Sequence, residues 1–108
     1  MTELTLSTSE KEYQRVLAGE QKVITREIRP RNAQKFVFLN DELECTGIIP
    51  YETLRLVRKD GNALKARITK QMLMEIEDEK GELVFYDVNG VTYQAVDIDI
   101  TVEDAQEL

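Results

Sequence analysis

Apolar residues fall at helical spacing near the start of this chain, at Tyr13, Val16 and Leu17, and from there on the dominant rhythm is alternation. Ser7 with Glu10 and Ser9 with Glu12 make two overlapping capping boxes ahead of that helical stretch, and Gly19 follows it. The spacing predicts a helix over about residues 9 to 18. Val23 to Arg29 reads as a strand with Ile24 and Ile28 on one face and Thr25, Glu27 and Arg29 on the other. Pro30 interrupts it, because proline supplies no ladder donor. Asn32 to Lys35 fits a single helical turn, and Phe36 to Leu39 a short apolar strand ending at Asn40-Asp41. A polar link through Cys45 and Gly47-Ile48-Ile49-Pro50 then leads to the second half.

That half reads as hairpins. Leu54 to Lys59 and Asn62 to Thr69 flank Asp60-Gly61, and Phe85 to Val88 and Val91 to Gln94 flank Asn89-Gly90. Both pairs favour the positive φ angles of tight hairpin turns. Leu64, Ala66 and Ile68 alternate with Lys65, Arg67 and Thr69, and Val96, Ile98, Ile100 and Val102 alternate with Asp97, Asp99, Thr101 and Glu103. Short alternating strands with one good helix describe an α+β, mainly β fold: a small barrel of antiparallel hairpins capped by an N-terminal helix.

At 108 residues, with 42% apolar and 32% charged side chains, the composition is that of one globular domain spanning residues 1–108. A single cysteine and no histidine exclude an internal disulfide and remove the usual zinc ligand and neutral-pH base. The expected compartment is a reducing cytoplasm, with no membrane span and no signal peptide. Glu75 to Glu79 and Asp97-x-Asp99 are the carboxylate groups to weigh as metal sites. Neither has the spacing of a known calcium loop, so no metal and no cofactor are expected. Met72 and Met74 are expected to fill core.

The net charge of −7 argues against indiscriminate nucleic-acid binding. Its distribution is uneven. Lys22, Arg26, Arg29, Arg31 and Lys35 stand against one acid, Glu27, and Arg55, Arg58, Lys59, Lys65, Arg67 and Lys70 against Asp60, while the tail from residue 75 is strongly acidic. A basic cleft follows if the two stretches meet.

The run Gly19-Glu20-Gln21-Lys22 followed by a strand carrying Glu27-x-Arg29 resembles the signature of the ASCH domains, small barrels of the PUA-like superfamily. The resemblance implies an RNA- or nucleoside-binding module with a basic cleft beside Gly19 to Arg29. Lys22, Thr25, Glu27 and Arg29 are then its ligand-binding residues, joined by Arg55 and Arg67 of the second basic stretch. In the ASCH pattern the arginine reaches a phosphate or base and the glutamate fixes its geometry, a task suited to a planar guanidinium. Phe36 and Tyr51 are aromatic candidates for base stacking. One branch of the family hydrolyses acetylated cytidine, and Lys22-Val23-Ile24-Thr25 matches its Lys-x-x-Thr spacing. That alternative makes Lys22 the base and Thr25 the nucleophile of an amidohydrolase, but no histidine is present to protonate the leaving amine. A further alternative is a small bacterial or phage accessory module whose acidic half binds a protein partner.

Overall fold

The computed structural model describes residues 2–108. The described residues are mainly β, with 54% of them in strands and two short helices among them. In order these are β1 (Glu3–Ser7), α1 (Glu10–Leu17), β2 (Val23–Ile28), α2 (Ala33–Phe36), β3 (Val37–Leu39), β4 (Cys45–Ile48), β5 (Thr53–Val57), β6 (Ala63–Glu75), β7 (Phe85–Val88), β8 (Val91–Gln94) and β9 (Val96–Glu107). Five strands form one sheet in the order β1-β5-β6-β9-β2, and β3-β4 and β7-β8 form two-stranded ribbons. The residues cluster into two compact units. One contains the segments before Thr25, Pro50–Gln71 and Ile100–Leu108, and the other contains Thr25–Ile49 and Met72–Asp99.

In the first unit α1 starts where the second capping box places it. Ser9 Oγ accepts from the Glu12 amide at 3.1 Å, and the Glu12 carboxylate accepts from the Thr8 hydroxyl at 2.6 Å. At the other end Gly19, with φ +78°, lets the Glu20 and Gly19 amides reach the carbonyls of Arg15 and Val16, a Schellman closure. Tyr13 and Val16 are buried. The Tyr13 hydroxyl donates to Glu107 at 2.7 Å, and the Arg58 guanidinium lies 4.3 Å from the centre of the Tyr13 ring while donating to both Glu10 oxygens. Burial, then the bond to Glu107, raises the Tyr13 pKa above its ordinary value.

The core of this unit is built in rows across the sheet. Leu6, Leu56 and Leu64 are register partners across β1, β5 and β6, and so are Leu4, Leu54 and Ala66; all six are buried. The β5–β6 pair is the antiparallel hairpin expected around Asp60-Gly61, with Arg58 bonded to Asn62 across the tip. The β1–β5 pair is parallel. An architecture of antiparallel hairpins alone is therefore corrected: the Leu4 and Leu6 alternation ahead of the helix is a strand, and it docks beside β5.

In the second unit Phe36, Val37, Ala95 and Ile98 are buried. The single helical turn is there as α2, and the segment expected as a polar link forms β4, antiparallel to β3. Around Asn89-Gly90 the φ angles are +51° and +83°, the two positive values of a type I′ turn, and Tyr86 pairs with Tyr93 across the ladder. Met72 and Met74 lie on β6 with 37% and 39% of their surface exposed, so the expectation that they fill core is corrected. Glu75 to Glu79 leads into a turn in which Asp78 accepts the amides of Lys80 and Glu82.

Candidate functional site

The candidate residues distribute over both units. In the first, Lys22 Nζ donates to Glu103 at 2.8 Å, and Arg67 donates to Asp104 Oδ2 at 3.1 and 3.2 Å. Arg55 is exposed on β5, opposite Thr5 and Lys65 in the ladder. The recess beside Gly19, Gln21 and Lys22 encloses about 30 Å³. That is a single water's share of liquid, too little for a base.

In the second unit the Thr25 hydroxyl donates to Asp99 Oδ1 at 2.7 Å. Each member of the Lys22-x-x-Thr25 pair thus bonds to its own carboxylate on β9. Glu27 pairs with Arg29. Asp97 has a raised pKa, first from burial and then from the charges of Glu27 and Asp99. A raised carboxyl pKa means that the folded state holds this proton more tightly than the unfolded chain does. The penalty for ionising Asp97 is therefore complete above its folded pKa and relieved as pH falls through it towards the ordinary 3.8. Asp97→Asn should raise the thermal midpoint at pH 7, and the gain should shrink in acid. A gain that stays constant down to pH 3.5 would show that Asp97 ionisation is not its source.

Asn32 holds the chain just after β2. Its Oδ1 accepts from the Arg29 amide at 2.7 Å and its Nδ2 donates to the Glu27 carbonyl at 3.1 Å. With the backbone fixed, the Arg29 guanidinium lies 4.0 Å from the centre of the Tyr86 ring. Tyr93, opposite Tyr86 in the ladder, stacks with it at 5.7 Å and 23° between planes. These three residues line a cavity of about 220 Å³ together with Ile28, Leu39, Val96, Gln34 and Gln94. Leu43 also lines it, with φ +61°, a conformation that costs a branched side chain energy. Asn40 enforces that angle: its Oδ1 accepts the Glu42 and Glu44 amides and its carbonyl accepts from Leu43. Next to the cavity, sharing Arg29 and Pro30, is a broader cleft of about 560 Å³ lined by Glu27, Arg31 and Val88.

Tyr86 and Tyr93 carry no motif, yet the sequence held a signal for them. A two-residue Asn-Gly loop puts the residue three before its Asn opposite the residue three after its Gly, and both are tyrosine here. Of the aromatic residues weighed from the sequence, Phe36 is core and Tyr51 half-buried. Among the described residues no group of three or more His, Cys, Asp or Glu side chains is placed to hold a metal ion, and no helix is long and apolar enough to cross a membrane. No family model, curated protein or solved structure matches the chain.

Proposed function

We propose that this chain is an ASCH-like, PUA-related module that binds RNA or a nucleotide-containing ligand through the second unit. The observation that carries this is the Arg29 guanidinium over Tyr86, with Tyr93 stacked on the same ring, at the edge of a cavity large enough for a base. Guanidinium and aromatic planes are the surfaces on which unpaired bases stack, and stacking of this kind tolerates an acidic protein because it does not depend on total charge. The order of helix, Gly19 turn and Glu27-x-Arg29 strand supports the family reading, and a lone exposed Cys45 suits a reducing cytoplasm.

Titration of labelled single-stranded RNA at two salt concentrations tests it. Binding should be seen at low salt and weaken only modestly at high salt, because few phosphate contacts are on offer. Absence of binding at low salt would favour the protein-interaction reading instead. That reading has its own support: Phe38, Leu43, Phe85 and Val91 each expose half or more of their surface, and all four belong to the second unit.

A further inference from the structure

The cavity and the cleft beside it share Arg29 and differ in character. The cavity is lined by aliphatic residues, by Tyr86 and Tyr93, and by Gln34 and Gln94, whose side-chain amides have no hydrogen-bond partner among the described residues. Its one charged side chain, Arg29, is already paired with Glu27. Such a space suits a flat, neutral group with a polar edge. The cleft offers Arg31, exposed and without an acid partner among the described residues. Glu27 lines the cleft too, so an anion there is directed to the Arg31 side.

We propose that the two spaces form one mononucleotide site, with a nucleobase in the cavity read at its edge by Gln34 and Gln94, and its phosphate on Arg31 in the cleft. This rests on the nucleotide-binding reading above and narrows it to one nucleotide. The size argument is direct. At about 30 Å³ per water, 220 Å³ holds about seven waters, the space of one base and not of two stacked ones. A carboxamide offers a donor and an acceptor side by side, the pattern that pairs with the adjacent donor and acceptor on a base edge. Arg29 then separates the two compartments, its plane against Tyr86 and its charge held by Glu27, so that the anion falls to Arg31.

The test is calorimetric titration of the whole chain with the four nucleoside 5′-monophosphates, the matching nucleosides, ribose 5-phosphate and a short single-stranded RNA. The variants are Arg31→Ala, Gln34→Leu and Gln94→Leu, each checked for an unchanged melting profile. One nucleotide should bind best, its nucleoside about tenfold more weakly, and ribose 5-phosphate not measurably. Arg31→Ala should bring the nucleotide down to the level of the nucleoside. Gln34→Leu, a substitution at an exposed position, should erase the preference among the four bases. A free nucleotide that binds as tightly as the RNA supports a small-molecule site, and a tighter RNA supports one position along a strand. RNA that binds in an Arg29-dependent way while every mononucleotide fails would overturn the one-nucleotide site and leave the RNA reading standing. If neither RNA nor nucleotide binds, both readings fall. Nucleotide binding that is indifferent to Arg31→Ala and Gln34→Leu would overturn the site as drawn.

Discussion

A Leu56→Ala variant should be less stable to urea by about 2 to 5 kcal/mol, while Arg55→Ala, one residue earlier on the same strand, should change stability by about 0.5 kcal/mol or less. The contrast follows from the two faces of β5. Leu56 is fully buried, with Leu6 on one side and Leu64 on the other as register partners, so truncation removes contacts on both flanks and leaves a cavity that the flanking strands cannot readily fill. Arg55 faces outward between Thr5 and Lys65, and a like charge opposite it in the ladder makes its loss neutral or mildly favourable. Far-UV circular dichroism across a urea series reads both. Equal, small losses would mean that β5 does not sit at the centre of the leucine rows.

Arg29→Ala should weaken RNA binding by about 1 to 3 kcal/mol, whereas Glu103→Ala should leave it almost unchanged. Arg29 combines a plane stacked on Tyr86 with a charge at the junction of cavity and cleft, and alanine replaces neither. Glu103 holds Lys22 beside a recess too small for a base, and its removal frees a cation there without touching Arg29 or the tyrosine pair. Fluorescence anisotropy with both variants locates the binding surface. Glu103→Ala tightening the complex while Arg29→Ala leaves it intact would move the site to the Lys22 end of the segment.

Much of the architecture was legible because local chemistry and tertiary structure agree. Asp60-Gly61 and Asn89-Gly90 stand at hairpin tips, Ser9 and Gly19 bound the helix, and the alternating apolar sets of β5, β6 and β9 point inward. What stayed hidden depends on partners far away in sequence. Leu4 and Leu6 give too short an alternation to announce a strand, and β1 is recognisable only by its pairing with β5. Cys45 to Ile48 is only four residues long, is weakened by Gly47, and is held by β3. Of the candidate site, Glu27 and Arg29 were legible as a pair on one strand face. Their aromatic neighbours were not, because Tyr86 is brought to Arg29 by folding across more than half the chain. The two basic stretches looked like cation surplus in sequence, but Lys22 and Arg67 are each matched by a carboxylate on β9, whose contribution belongs to the acidic tail.

The parallel docking of β1 on β5 also sets an order of assembly. The β5–β6 hairpin closes across a few residues and can form in microseconds, whereas β1 must find β5 over roughly fifty intervening residues and gains nothing until it arrives. The strand that separates β6 from β2 in the sheet, β9, also follows the other four in sequence. Until both are in place, a partly folded molecule carries a leucine-faced hairpin with two unsatisfied edges, the kind of template that recruits strands from other chains. This strand order therefore makes refolding sensitive to concentration, because the early hairpin keeps open edges until β1 and β9 dock.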